Sequence, residues 1–260
     1  MPRFFTDVSG TVGDIIPIVG EDALHISRSL RMAVGDPITI CDGLGTDHIC
    51  EIVYAGHDIV KAKVVEVFPS ESEPDVEVTL YASVTKGEKM DFVIQKSVEL
   101  GVRAIVPVLS RRCIVRLDEK SEKNKLDRWN KIAFEASKQS GRGYVPKVRS
   151  VMTFEKAVAE ASEHSLRLIA YERGKLPLAD LLGSSVYVDA AVFTGPEGGY
   201  DEEEIRLAEI MGIAPISLGK RILRAETAPL CVLSIIHYQA ELNSKKGYGN
   251  GEKEENISAR

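Results

Sequence analysis

Lys220, Arg221, Arg224 and Glu226 crowd into the stretch 218–228. A helix is predicted directly after, over 225–242, with Pro229 tolerated in its first turn. Cations are disfavoured at the positive end of a helix dipole, so a cluster entering one implies an anion to be held, either a charged ligand or an RNA phosphate. A surface ion pair between Arg224 and Glu226 is the plainer alternative. A second stretch, Gly195-Pro196-Glu197-Gly198-Gly199, follows an apolar run at 186–193 and precedes Asp201, whose spacing to Glu204 is that of a capping box on an acidic first turn. It matches neither the dinucleotide fingerprint nor the Walker phosphate loop, and alone it reads equally as a tight connection. Paired with 218–228 it gains meaning, because loops leaving adjacent parallel strands are where an open α/β sheet binds its ligand.

Other polar residues have the spacing to touch nucleic acid. Glu135, Gln139 and Arg142 lie at i, i+4 and i+7 along a predicted helix that also carries the apolar stripe Trp129, Ile132, Ala133 and Ala136. With Arg111 and Arg112, after the preceding strand, the polar set could read a base and its phosphates; the stripe by itself speaks only of packing. His25, Arg28 and Arg31 recur at i, i+3 and i+6 of a helix predicted over 21–32, where a phosphate clamp and a solvated face are both open readings. The five histidines have no metal-ligand spacing, so no metal is expected. Cys41, Cys50, Cys113 and Cys231 lack CxxC spacing, which favours reduced thiols, and no nucleophile signature supports covalent hydrolysis.

The elements that must position these residues fall into two regions. Residues 1–70 show short alternating runs at 11–19, 37–41, 48–53 and 59–67 separated by turn signals, which with one helix predict a small β-barrel. Residues 71–75 form a linker within the polar stretch 68–75, which contains Pro69 and Pro74. From 76 to 243 the pattern alternates, with strands at 76–84, 104–109, 166–171, 186–193 and 212–217 and helices at 89–101 and 120–140, hence an α/β domain with a parallel sheet. Residues 244–260, polar and glycine-rich, read as a disordered tail. The composition, 44% hydrophobic and 28% charged, is that of a globular protein. Its net charge of -6 conceals a basic segment, 101–150, with 13 Lys and Arg against 5 Asp and Glu, so one face can still meet a polyanion. No membrane span or secretory leader is read, and a cytoplasmic location is expected.

The motifs at 96–102, 128–129, 135–142, 195–199 and 218–228 resemble those of the RsmE family of 16S ribosomal RNA (uracil-N3) methyltransferases, in the SPOUT superfamily. Segments 25–31 and 42–45 look like that family's N-terminal RNA-binding domain. The resemblance implies a PUA-like small β-barrel ahead of a SPOUT-type parallel sheet ending in a deep trefoil knot, with S-adenosyl-L-methionine bound in the knot. By the same resemblance the donor would be held by Tyr171, Thr194, Gly195, Pro196, Glu197, Gly199, Ser217, Leu218, Gly219, Ile222, Leu223, Thr227 and Ala228. Arg221 and Arg224 would stabilise a uracil anion, with Glu226 as base or as a partner orienting the arginines. RNA would be met by His25, Arg28, Arg31, Arg111, Arg112, Glu135, Gln139 and Arg142. The implied partners are 16S rRNA or the small ribosomal subunit, and a second copy of the chain through Leu230, Leu233, Ile236 and Tyr238. A SPOUT enzyme acting on another RNA and a non-catalytic RNA-binding assembly factor remain as alternatives.

Overall fold

The computed structural model describes residues 1–115, 117–183 and 187–255, with 245–255 as backbone only. The chain divides into two compact units, residues 1–73 with 137–145, and residues 74–136 with 146 onward. The assignment of 137–145 to the first unit differs from the sequence expectation, which kept that segment in the second domain.

In the first unit, β1 (Arg3–Phe5), β2 (Ile15–Val19), β3 (Pro37–Cys41), β4 (Thr46–Ala55) and β5 (Ile59–Pro69) form one sheet in the order β1-β3-β4-β5-β2. Only β1 and β3 run parallel; the other ladders are antiparallel. Strand alternation turns Ile16, Ile18, Ile38, Ile40, Cys50, Ile52, Val60, Ala62 and Val64 inward, where they meet Ala23 and Ile26. The helix predicted over 21–32 is shorter and wound differently: α1 (Glu21–Leu24) passes into a π-helical turn at His25–Ser29, closed by the Leu30 amide on the His25 carbonyl. Arg31 then adopts a left-handed φ of 52°. The wider π turn breaks the i, i+3, i+6 face, although His25, Arg28 and Arg31 are all exposed. Segment 137–145 is tied to the rest of its unit by polar bonds that are partly or fully buried. The Arg142 guanidinium meets Glu73 at 2.5 Å, the Gly143 and Tyr144 amides also donate to Glu73, and the Cys41 thiol meets the Gly143 carbonyl.

The second unit is a parallel sheet covered on both faces. Its strands are β6 (Glu77–Ser83), β7 (Ala104–Leu109), β8 (Lys147–Val148), β9 (Met152–Thr153), β10 (Leu166–Ala170), β11 (Leu176–Pro177), β12 (Asp189–Thr194) and β13 (Ala214–Ser217). Their order is β11-β13-β10-β12-β6-β7-β8, with β9 also on β7. Neighbouring residues along a strand point to opposite faces, so each strand feeds two cores. Val78, Leu80, Ile105, Leu168, Val192 and Ile216 face α2 (Lys89–Glu99), α3 (Glu119–Ser140), α5 (Leu178–Leu182) and α7 (Ala228–Glu255). Tyr81, Val106, Ile169, Ala191 and Phe193 face α4 (Phe154–Ala161) and α6 (Glu202–Ile210). Strands buried on both sides need near-continuous apolar runs, and β6, β7 and β12 have them.

Two sequence expectations change here. Helix α7 begins at Ala228 rather than 225, because 225–227 form a turn closed by the Thr227 and Ala228 amides on the Arg224 carbonyl. It continues through Glu255, over most of the stretch expected to be a disordered tail, while 256–260 lie outside the described residues. A helix held by buried Val232, Leu233, Ile236 and Ala240 is already nucleated, and each further residue adds one backbone bond despite the glycines. Among the described residues no helix is long and apolar enough to cross a membrane.

Candidate functional site

Because β10, β12 and β13 are parallel neighbours, their carboxyl ends and the loops that leave them share one edge of the sheet. Those loops, 170–172, 195–200 and 217–228, together with Lys89 of α2, line a cleft of about 440 Å³. That size is typical of small-molecule sites, which span roughly 300–1,000 Å³.

The floor of the cleft is backbone brought close by glycine. At Gly195 a Cβ would stand 3.3 Å from the buried Tyr200 ring. Gly199 has φ 67°, closes a turn onto the Pro196 carbonyl at 2.9 Å, and lies against the Glu172 carboxylate, 3.3 Å from where its Cβ would be. Gly219 has φ 109° and is braced by the Ser217 hydroxyl, which accepts from its amide at 3.2 Å. At Gly174 a Cβ would come within 2.7 Å of the Ile216 backbone, so the chain after β10 passes the end of β13 only because that residue is glycine.

Charge is arranged around this floor. The Lys89 ammonium stands 3.0 Å from Glu197 Oε1 and 3.7 Å from Glu226 Oε2. Burial works to raise the Glu197 carboxyl, but its own backbone amide, Lys89 and the Lys86 amide outweigh burial and hold it below the usual carboxylate range. Glu226 Oε2 is inaccessible to solvent and accepts no hydrogen bond. Arg221 and Arg224 line the same cleft, exposed, and neither belongs to an ion pair among the described residues. The arrangement offers acceptors for a cation or a donor N–H, free guanidinium groups for an anion, and close backbone for a flat ring.

Of the residues expected to hold a cofactor, the structure brings Tyr171, Gly195, Pro196, Glu197, Gly199, Ser217, Leu218, Gly219, Ile222, Leu223 and Ala228 to the cleft. Thr194 and Thr227 do not line it. Thr194 ends β12 facing the interior, 2% exposed, and Thr227 is exposed on the turn before α7. The cleft also contains Lys89, Glu172 and Tyr200, which the sequence did not single out. Lys89 is 106 positions before Gly195, with only its place after β6 as a signal.

The expected RNA-contacting set is not a single constellation. Arg142 is corrected outright: 3% exposed, it is committed to Glu73, whose carboxyl it holds low against the opposing effect of burial. Past Gly141, with φ 71°, the chain has left the helix, so the expected i+7 position does not exist. Glu135 and Gln139 are exposed on α3. Arg111 pairs with Glu203 and Asp201, and Arg112 with Asp201 at 3.2 Å and with the Gly198 carbonyl at 3.1 Å. These arginines brace the N-terminus of α6, where Asp201 and Glu204 form the expected capping box and Glu204 also accepts the Arg111 amide. Of the expected dimer residues, Leu233 and Ile236 are fully buried in the protein's own core, whereas Leu230 is partly exposed and Tyr238 is 64% exposed. No group of residues suited to a metal ion occurs among the described residues.

Two family descriptions match the chain. A family described as RNA methyltransferase domain matches residues 71–237, and one described as RNA methyltransferase PUA domain matches residues 18–65. The ribosomal RNA small subunit methyltransferase E of Bacillus subtilis is 36% identical over 252 residues, covering 93% of this chain and 98% of its own. Its counterpart in Synechocystis is 35% identical, over 82% of this chain and 69% of its own. Among solved structures, the ribosomal RNA small subunit methyltransferase E of Neisseria gonorrhoeae, bound to S-adenosyl methionine, superposes with a TM-score of 0.80 at 34% identity, over 91% of this chain and 96% of its own.

Proposed function

The chain belongs to the ribosomal RNA small subunit methyltransferase E family, and from that premise we propose that it methylates N3 of a uridine in the 16S rRNA of the small ribosomal subunit, with S-adenosyl methionine as donor. The observation that carries the reading is the cleft itself: glycine-lined backbone, guanidinium groups without an ion pair among the described residues, and a Glu226 oxygen that accepts no hydrogen bond converge at one sheet edge.

The residues present fit the donor. Backbone of 217–219 and 222–223 offers amides and carbonyls to a flat heterocycle, Gly195 and Gly199 keep side chains out of its way, and the Glu172 and Glu197 carboxylates suit a positively charged ligand. Tyr171, Pro196, Ile222, Leu223 and Ala228 supply apolar surface. When bound, S-adenosyl methionine supplies a methyl carbon on a sulfonium, ready for displacement by a nitrogen nucleophile. The protein's task is then the uracil. Its N3 carries a proton and is a poor nucleophile until that proton is taken and the negative charge left on O2 and O4 is stabilised. Glu226 is the acceptor for the proton, and Arg221 with Arg224 the stabilising cations.

The rest of the assignment follows the two units. His25, Arg28 and Arg31 on the first unit meet rRNA phosphates, with Glu135 and Gln139 as further contacts; Arg111 and Arg112 keep α6 in place and touch RNA only with their exposed faces. Residues 76–243 carry the methyl transfer, with the cleft loops threaded as a trefoil knot. Two chains pair through the exposed side of α7 that includes Leu230 and Tyr238, and the enzyme works in the cytoplasm with the ribosome.

The test is nucleoside mass spectrometry of 16S rRNA after incubating unmethylated small subunits with the protein and S-adenosyl methionine. A single 3-methyluridine is expected, and methylation at a base carbon or a ribose, or none in 16S rRNA, would refute the reading.

A further inference from the structure

Lys89 occupies the first position of α2, where the helix dipole opposes a positive charge. Such a placement calls for compensation, and two carboxylates from two different loops provide it. Glu197 comes from the loop after β12, and its Oε1 takes both the Lys89 ammonium at 3.0 Å and the Lys86 amide at 3.4 Å. Glu226 comes from the turn before α7, with Oε2 at 3.7 Å from the same ammonium. All three side chains are half-buried at the cleft, and Lys89 is the group common to both loops.

The two contacts differ in kind. At 3.0 Å the bond to Glu197 is a direct charge-assisted hydrogen bond. At 3.7 Å the attraction to Glu226 is purely electrostatic, so Lys89 steers that carboxylate without occupying its lone pairs. Glu226 Oε2 is therefore held in place, shielded from water and still free to accept. A buried acceptor without a partner is costly, and it persists where a ligand donor completes it.

We propose that Lys89 is the positioning residue that aims the free Oε2 of Glu226 at the N3 proton of the target uracil. This rests on the uracil-methylating reading above. The N–H bond breaks towards Oε2, the carboxylate becomes a carboxylic acid, and the electron pair stays on the ring for N3 to use. Through the exposed part of the Glu226 side chain, 22% of it, the proton afterwards leaves to water, restoring the Lys89 and Glu226 pair. Because Lys89 also holds Glu197, the loop lining the donor's place and the residue receiving the proton share one anchor.

The experiment uses the full chain and small ribosomal subunits lacking the modification, and measures S-adenosyl methionine affinity by calorimetry beside kcat and KM for subunits. Lys89→Met is expected to lower kcat by about 10–100-fold while leaving both the affinity and KM within about threefold, since the Lys86 amide still holds Glu197 and the loss falls on a step after binding. Lys89→Arg should recover most of the rate. The decisive variant is Lys89→Met combined with Glu226→Gln: if Lys89 acts through Glu226, the pair is no slower than Glu226→Gln alone. Losses that multiply in the double variant, or a Lys89→Met defect confined to donor affinity, overturn the proposal while leaving the methyltransferase reading intact. A wild-type protein that transfers no methyl group to uracil N3 would instead remove the reading on which the proposal stands.

Discussion

Two pairs of arginines in the second unit look alike in the sequence and behave oppositely in the structure. Arg111 and Arg112 follow β7 and are paired, with Asp201, Glu203 and the Gly198 carbonyl as partners. Arg221 and Arg224 follow β13, line the cleft and stand without an ion pair among the described residues. A cation already matched by the acidic first turn of a helix contributes to architecture, whereas one left unmatched beside a cleft retains its full charge for a ligand. Arg142 is a third case, buried and committed to a single carboxylate.

The sharpest way to break the contrast is to destroy the cleft beneath the unmatched pair. Gly195→Trp places an indole where a Cβ already meets Tyr200 at 3.3 Å, and calorimetry should show donor affinity falling by about 100-fold or more, ~2.7 kcal/mol. Next comes the unmatched pair itself. Arg224→Ala should reduce kcat by about 100–1,000-fold, the usual cost of removing one group that stabilises a developing oxyanion, with the unfolding midpoint nearly unchanged. Full methyl transfer by that variant would show that Arg224 has no catalytic role. Arg142→Met inverts the pattern, because it strands the Glu73 carboxylate in the first unit. Denaturant unfolding should show a loss of about 2–4 kcal/mol, the lower part reflecting the partial exposure of Glu73.

The smallest effect belongs to the matched pair. Replacing both Arg111 and Arg112 by Ala should leave kcat within about threefold, since neither is asked to stabilise the reaction. Its signature is in pH. The Asp201 carboxyl is held below the usual range first by the Glu203 amide and then, against slight burial, by Arg112 and Arg111. A lowered folded value stabilises the protein above the unfolded carboxylate pKa, about 3.9, and that stability is lost as pH falls through the folded value. The stability difference between wild type and the double variant should therefore be present at neutral pH and close in acid, as followed by thermal unfolding across pH 2–7. A gap that stays constant over that range would show that the arginines act by packing and not by pairing with Asp201.

Much of the second unit could be read directly from residue order. The expected strand at 104–109 is β7 residue for residue, and the helices at 89–101 and 120–140 fall within two residues of α2 and α3 at each end. Apolar runs long enough to be buried on both faces leave few alternatives to a parallel sheet. The first unit was harder. The helix at 21–32 was legible as a helix but not as a π turn followed by a left-handed arginine, because periodicity records which residues are apolar and not how the chain winds between them. The same limit separated Glu135 and Gln139 from Arg142, since a helical wheel drawn past Gly141 assigns a face to a residue that has already left the helix.

At the cleft the two levels divide along the same line. Residue types and local spacing determined the chemistry: glycines at 195, 199 and 219 that let backbone approach, the capping box at Asp201 and Glu204, and the concentration of Arg221, Arg224 and Glu226 in one loop. Only the tertiary structure decided which charges are available. The pairing of Arg111 and Arg112 with α6, the burial of Arg142 and the bridge from Lys89 to Glu197 and Glu226 all join residues remote in sequence. Local patterning specifies what a side chain can do, but an ion pair forms or fails according to distances set when parallel strands bring distant loops to one edge of the sheet.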